Sequence, residues 1–206
     1  MLKIIGRKSS SNVQKVLWAC GEMGLTYERQ DAGREFGVVD TTEYAKLNPN
    51  RRVPTLVEDD FVLWESNSIV RYLATKHDAG GLCPTDLKVR ADAERWMDWQ
   101  LSALGPAFTN LFHGLVRDAP DKRNWDAINK SRDATEKHLE MLDDRLSTET
   151  WVAGEAFTFG DIPVGIYAYR WYEFEGIERK NLPNLKRWYD ALCQRPMFQE
   201  FVMVGL

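Results

Sequence analysis

The spacing of apolar positions changes character near residue 78. Upstream of that point, the apolar-rich stretch 2–6 predicts a first strand, and the stretch 25–31, where Tyr27, Arg29 and Asp31 alternate with Glu28 and Gln30, predicts a second. Between them, apolar positions three and four residues apart predict a helix over 13–23, and Gly24 follows as a helix stop. A strand, a helix and a strand in such close succession predict a βαβ unit with parallel strands.

A second set of elements is expected before the change. Residues 42–47 predict a short helix that Asn48-Pro49 ends. Residues 55–57 and 61–64 predict a hairpin, and the polar stretch 65–68 opens the helix that follows it. The order of elements is therefore βαβ, then a helix, then ββα.

Downstream of the change, every longer apolar pattern has helical spacing. The chain around residues 78–85 is rich in glycine, lacks periodicity and predicts a linker. The long helix that follows carries an apolar stripe from Met97 to Leu115, and Gly105-Pro106 is expected to kink it. We therefore predict an α/β plus all-α fold, with a βαβ-ββα domain over 1–78, a linker over 79–87 and an all-helical domain over 88–206.

Composition and charge narrow the possible partners. The chain of 206 residues is 44% hydrophobic and 28% charged, with a formal net charge of -4, as expected of a globular protein. It has no strongly basic tract and no long apolar run, so neither nucleic acid nor a membrane is an expected partner. The three cysteines lie far apart and no secretory signal precedes the first strand, which favours a reducing, cytoplasmic location without disulfides or a metal.

Two stretches carry candidate chemistry. The first is the loop Ser9-Ser10-Ser11-Asn12, which lies between the first strand and the first helix. The second runs from Arg51-Arg52-Val53-Pro54 to Trp64-Glu65-Ser66, where a strand leads directly into a helix. A helix start leaves several amide N–H groups unpaired, and such groups favour a carboxylate or phosphate ligand.

The second stretch resembles the glutathione-binding half of the glutathione transferases. The resemblance implies that the N-terminal domain is thioredoxin-like, that the Val53-Pro54 bond is cis, and that Val53 pairs its backbone with the cysteinyl part of glutathione. It also implies that Glu65-Ser66 holds the γ-glutamyl end. The helical half resembles the same family in order, at Trp99-Gln100, at Thr158 to Asp161 with its capping-box spacing, and at Trp188-Tyr189.

The serine-rich loop is similar to that of the serine-type theta, delta and nu-like members. The resemblance places Ser10 at the position of the thiolate-stabilising hydroxyl, with Asn12 two residues further on. Ser9 and Ser11 are the alternatives, and a third possibility is that all three serines only cap the helix. No tyrosine or cysteine lies near the loop, which argues against the tyrosine, omega and beta types.

The remaining site residues are expected on the same resemblance. Arg51 and Arg52 are the candidate cations for the glycine carboxylate of glutathione, since arginine suits carboxylate recognition. Delta-like members have histidine at the first of these positions, so the subclass stays open. The glutathione-binding set is Arg51, Arg52, Val53, Pro54, Glu65 and Ser66. Four aromatic residues could line an electrophile pocket or belong to the core: Phe36, Phe108, Phe112 and Trp171.

Three functions fit these expectations. The first is conjugation of glutathione, as co-substrate, to an electrophilic and hydrophobic small molecule. The second is glutathione-dependent reduction of disulfides or peroxides without a protein thiol. The third is a binding module without turnover. The intact serine loop and the intact Val-Pro and Glu-Ser steps argue against this third function. The resemblance and the many aromatic residues also predict a homodimer, with the kinked first long helix at its two-fold axis.

Overall fold

The computed structural model describes residues 1–206 as two compact units. The first comprises Met1–Thr85 together with Pro196–Val204. The second comprises Asp86–Arg195 together with Gly205–Leu206. An α/β unit and a helical unit confirm the predicted fold class.

A four-stranded mixed sheet forms the centre of the first unit, with strand order β2-β1-β3-β4. Strand β1 pairs in parallel with β2 and antiparallel with β3, and β3 pairs antiparallel with β4. The parallel β1–β2 pair confirms the βαβ unit expected from the sequence. The strands are β1 (Leu2–Ile5), β2 (Glu28–Gln30), β3 (Thr55–Glu58) and β4 (Phe61–Trp64).

Three helices and a short 3-10 turn complete the early part of this unit. Helix α1 buries the predicted apolar side, including Val13, Val16 and Cys20, and it packs beside α3. Burial of such a stripe is what makes a helix of this length stable in a protein. The elements are α1 (Ser11–Glu22), the 3-10 turn Arg34–Phe36, α2 (Thr42–Leu47) and α3 (Ser66–His77).

The second unit is helical throughout. Helices α5 and α6 share the most extensive packing within it, and α8 packs on both α6 and α7. Two π turns, Gln100–Leu104 and His113–Arg117, flank α5, and a 3-10 turn spans Pro120–Lys122. The helices are α4 (Leu87–Trp99), α5 (Gly105–Phe112), α6 (Trp125–Leu146), α7 (Asp161–Glu173) and α8 (Pro183–Cys193).

The break predicted in the first long helix is present as a widened turn. The N–H of Gly105 donates to the carbonyl of Gln100, five residues back, instead of the usual four. The next residue, Pro106, has no N–H to donate, so a regular α-helix could not continue through this point without losing a bond. The proline and the π turn together divide the helix into α4 and α5.

The C-terminal helix α9 (Pro196–Phe201) packs with the first unit. The ring of Phe198 lies 4.8 Å from the indole of Trp18 on α1, and both side chains are completely buried. A Cβ atom at Gly21 would lie 2.7 Å from the sulfur of Met197 and 2.7 Å from a ring carbon of Phe201, so a larger residue would have to displace these side chains of α9. The sequence-based division placed all of residues 88–206 in the helical domain. The structure differs at this helix, because the ring of Phe198 is buried against Trp18 of α1.

No helix has both the length and the apolar character needed to cross a membrane.

Candidate functional site

The serine loop forms the N-terminus of α1. Ser10 is the N-cap residue with extended backbone (φ -86°, ψ 122°), and its carbonyl accepts the N–H of Gln14 at 2.8 Å. Its side chain makes no capping hydrogen bond. Ser9 is exposed and Ser11 is the first helical residue. A purely capping role therefore does not account for the hydroxyl of Ser10.

The starts of α1 and α3 lie next to each other in the first unit. The hydroxyl of Ser66 lies 3.4 Å from Oδ1 of Asn12, to which it donates, across 54 positions of sequence. Both predicted stretches, the serine loop and the Glu-Ser step, therefore meet in space. Because each helix start carries unpaired amide N–H groups and a partial positive charge, their meeting creates a place suited to an anion.

Glu65 has an unusual backbone conformation immediately before α3. Its φ is 71° and its ψ 110°, although it is neither glycine nor asparagine. Such conformations cost about 1–3 kcal/mol and concentrate at ligand-binding sites, where the surrounding structure enforces them. Glu65 is exposed. It lies between Trp64, the last residue of β4, and Ser66, which contacts Asn12.

The Val53-Pro54 bond is cis, as the resemblance implied. Pro54 is buried, and Val53 is half-buried against a small apolar cluster that includes Ile5, Ala32 and Tyr44. A Cβ atom at Gly6 would lie 3.2 Å from Cβ of Val53 and 2.5 Å from a methyl of Val13, so the loop after β1 approaches this segment closely.

The two candidate cations precede this segment. Arg51 adopts a φ of 53°, and both arginine side chains are exposed. The guanidinium of Arg51 lies 3.5 Å from the carbonyl oxygens of Val39 and Thr41, at the outer limit of a hydrogen bond. Both cations therefore remain accessible to a carboxylate from solvent.

The four aromatic candidates fall into two groups. Trp171 is 1% exposed and Phe108 is 2% exposed, so their rings offer almost no surface to a ligand. The guanidinium of Arg179 lies 5.5 Å from the Trp171 ring, and Phe108 packs against Tyr167 and Phe174. Both are core residues of the helical unit in this structure.

The other two aromatic candidates retain accessible surface. Phe36 is 46% exposed on the 3-10 turn of the first unit. Phe112 is half-buried near the end of α5, with the guanidinium carbon of Arg170 at 4.4 Å and that of Arg117 at 5.3 Å from its ring centre. These two rings remain available for contact with a ligand.

Charged residues beneath the serine loop were not anticipated. Arg29 donates to the carbonyl of Gly6 at 3.0 Å and also to the carboxylate of Asp31. This guanidinium holds the pKa of Asp31 below its usual value. Arg7 lies nearby, and Gly33 leaves room for it, because a Cβ at Gly33 would lie 2.8 Å from Nη1 of Arg7. Residues 33–37 contain two glycines and no periodic pattern, so the sequence gives no sign of this contact between Gly33 and Arg7.

Three buried polar residues beside the Val53-Pro54 segment were also missed. Tyr44, Asn48 and Thr55 are each at most 2% exposed. The sequence assigned the first to a short helix, the second to its end and the third to a strand, without any site role. A polar side chain buried to this degree requires hydrogen-bond partners, and those partners could not be located from spacing alone.

No three His, Cys, Asp or Glu side chains lie close enough together to hold a metal ion.

Matches to known families cover both units. Residues 9–76 match the family model of the glutathione S-transferase N-terminal domain, and residues 97–196 match that of the C-terminal domain. Glutathione S-transferase GstB of Escherichia coli strain K12 is 39% identical over 206 residues, covering 99% of each chain.

Solved structures agree with this assignment. The theta class glutathione S-transferase of Xanthomonas axonopodis pv. citri with glutathione bound has a TM-score of 0.95 at 41% identity, covering 100% of this chain and 98% of that one. The apo form of the Xanthomonas enzyme has a TM-score of 0.86 at 37% identity over the same shares of the two chains. The two-unit fold, the adjoining starts of α1 and α3 and these matches together define a glutathione-dependent transferase. The chain belongs to the glutathione S-transferase family.

Proposed function

We propose that this chain activates the thiol of glutathione as a thiolate and transfers it to an electrophilic, hydrophobic small molecule. The observation that carries the proposal is the Asn12–Ser66 contact, which brings the serine loop to the glutamyl-binding step. The N–H groups at two helix starts are hydrogen-bond donors for a thiolate. The Ser10 hydroxyl, which makes no capping hydrogen bond, is a further donor.

The energy required for activation is modest. A thiol with a pKa of roughly 8.5 is only a few per cent ionised at neutral pH. Lowering that pKa by about two units takes roughly 2.7 kcal/mol of preference for the anion. One hydroxyl donor contributes about 1.5–3 kcal/mol to a charged acceptor, so Ser10 with the amides of α1 is sufficient.

Other groups hold the tripeptide in place. The backbone of Val53 pairs with the cysteinyl residue, and Glu65 with Ser66 binds the γ-glutamyl end. Arg51 or Arg52 pairs with the glycine carboxylate, for which an exposed guanidinium is suited. Binding and activation therefore depend on different residues.

The electrophile requires apolar surface beside the thiolate. Of the four aromatic candidates, Phe36 keeps exposed ring surface in the same unit as the serine loop, and we assign electrophile contact to it. Phe112 keeps part of its ring exposed within the helical unit. Trp171 and Phe108 support the helical unit from its core.

Paired assays test the proposed reaction. Turnover of 1-chloro-2,4-dinitrobenzene with glutathione supports conjugation. Turnover confined to a glutathionyl disulfide or a peroxide would replace it with reduction by the same thiolate. Glutathione binding without turnover of any of the three would reduce the chain to a binding module.

We also propose a homodimer, with a shallow cleft on the helical unit as part of the interface. The cleft has a volume of about 380 Å³ and is lined by Arg95, Trp96, Trp99, Met141 and Arg145. Met141 is 44% exposed, which is unusual for a large apolar side chain beside two indoles. Aromatic, methionine and arginine side chains are the types enriched in protein interfaces.

A further inference from the structure

We infer that Tyr44, Asn48 and Thr55 are positioning residues that hold the glutathione-facing backbone of Val53 in place. The inference rests on the proposed function, because the ligand of Val53 is the cysteinyl part of glutathione. None of the three would touch glutathione itself. They act through the carbonyl of Arg52 and the start of β3, which lie on the two sides of Val53-Pro54.

The hydrogen bonds form a small closed network. The hydroxyl of Tyr44 lies 2.6 Å from the carbonyl oxygen of Arg52 and 2.8 Å from Oγ1 of Thr55. The amide nitrogen of Asn48 lies 2.8 Å from the same carbonyl and 3.2 Å from the same Oγ1. Two side chains from the α2 region therefore converge on the same two oxygen atoms.

The proton count fixes the direction of each bond. Tyr44 has one hydroxyl proton, which it donates to the carbonyl of Arg52, so Thr55 must donate its own proton to the tyrosine oxygen. Asn48 uses its two amide protons on the carbonyl of Arg52 and on Thr55. All four side-chain protons are then used. Loss of the Tyr44 hydroxyl leaves Thr55 without its acceptor, and loss of the Thr55 hydroxyl leaves one amide proton of Asn48 without its acceptor.

Other atoms of Asn48 and Tyr44 connect this network to the surrounding backbone and to the apolar core. Oδ1 of Asn48 accepts the N–H of Asn50 at 3.0 Å, and the backbone of Asn48 accepts the N–H of Arg51 at 3.0 Å. The ring of Tyr44 belongs to the apolar cluster on which Val53 packs. The connection from α2 to β3 is thus fixed both by packing and by polar contacts, with Val53 between them.

Removal of single hydroxyl groups tests the inference. Tyr44→Phe keeps the ring and its packing, and Thr55→Val keeps the volume, so both remove chiefly hydrogen bonds. We expect each to raise the Kd for glutathione about tenfold, measured by calorimetry. The kcat at saturating glutathione should stay within about twofold, as should the pKa of the bound thiol. The double variant should lose much less than the product of the two single losses, because both substitutions break one network.

Two further variants separate positioning from general stability. Thr55→Ser retains the hydroxyl and should restore binding to nearly that of the unsubstituted chain. Tyr72→Phe removes another tyrosine hydroxyl of the same unit. That hydroxyl donates to Glu58 at 2.6 Å, at the end of β3 that is remote from Val53. This variant should therefore leave the Kd for glutathione unchanged.

The inference is overturned if Tyr44→Phe and Thr55→Val both bind glutathione with the original Kd, or if Tyr72→Phe weakens binding as much as they do. Should Tyr44→Phe fail to fold, Thr55→Val with its serine counterpart decides alone. Failure of the proposed function would look different, because the unsubstituted chain would then not bind or not use glutathione.

Discussion

Trp188 donates its indole N–H to the carboxylate of Asp161 across 2.9 Å, and both side chains are completely buried. The same carboxylate accepts the backbone N–H groups of Val152 and Thr158, each at 3.0 Å. The second of these bonds is the one that the Thr158–Asp161 spacing predicted. Asp161 therefore joins α7, α8 and the preceding loop at one buried point.

Asp161→Ala is expected to lower the free energy of unfolding by about 2–4 kcal/mol, because it leaves several buried donors without an acceptor. Chemical denaturation at pH 7 measures this loss. Asp190→Ala is the control, since it removes an exposed carboxylate paired with Lys186 one helical turn away. That change should cost no more than about 0.5 kcal/mol. Equal losses for the two variants would argue against the role assigned to Asp161.

The same group predicts a specific pH dependence. Burial raises the pKa of Asp161 from 3.8 to about 6, although its hydrogen-bond donors act in the opposite direction. The folded state therefore holds this proton more tightly than the unfolded state does. The resulting stabilisation is complete below pH 4 and disappears as the pH rises to 6.

Comparison with Asp161→Asn isolates this contribution, because the other carboxylates cancel in the difference. The stability of the unsubstituted chain minus that of the variant should fall by up to about 3 kcal/mol between pH 4 and pH 6.5. Denaturation curves at four pH values in that window measure it. A difference that stays constant or grows with pH would contradict the raised pKa.

Ser10→Ala should raise the pKa of bound glutathione and lower turnover roughly ten- to a hundred-fold at neutral pH. The Kd for glutathione should change little, because the binding groups lie elsewhere. The deficit should shrink as the pH rises and glutathione ionises unaided. Ser9→Ala and Ser11→Ala serve as controls. If one of them abolished turnover while Ser10→Ala did not, the assignment would move to that serine, and if none did, to Asn12 or the α1 amides.

Glu65→Ala should show the opposite pattern. Loss of one charge-assisted contact with the γ-glutamyl end should weaken glutathione binding by about 1.5–3 kcal/mol, or roughly ten- to a hundred-fold in Kd. Turnover at saturating glutathione should be affected much less. Calorimetric titration together with kcat measures the two effects separately. A lower kcat with an unchanged Kd would place Glu65 in activation instead of binding.

Light scattering at micromolar concentration should give about twice the 23.8 kDa of one chain. Met141→Arg adds a third positive charge beside Arg95 and Arg145 and should shift the mass towards that of a monomer. Met203→Arg is the control, because Met203 is similarly exposed but lies outside the cleft. A single-chain mass for the unsubstituted protein would exclude the dimer.

Local signals in the sequence were sufficient to predict most of the elements. The end of α2 follows directly from Asn48-Pro49, and the limits of β4 follow from the apolar run after the polar turn at residues 58–60. The start of α1 was set two residues too late, because Ser11 and Asn12 are polar but already helical. Turn chemistry and short-range periodicity thus fix elements to within a few residues.

Contacts between distant residues were not accessible in the same way. The resemblance predicted site roles for Ser10, Val53 and Glu65, but the shared hydrogen bonds of Tyr44 and Thr55 depend on where two elements meet. The packing of Phe198 on Trp18 likewise leaves no periodic signal in either helix. Burial of Trp171 could not be separated from pocket lining, since both produce an aromatic residue at helical spacing.

Helix α9 has a consequence for the synthesis of the chain. The sheet and α1 to α3 leave the ribosome first, yet the aromatic ring that covers Trp18 is translated only after the entire helical unit. We expect a ribosome-arrested chain that ends before Pro196 to expose Trp18 and to be cut by protease within α1. The full-length chain, once released from the ribosome, should be resistant to this cleavage. The first unit to be made is therefore the last to be finished.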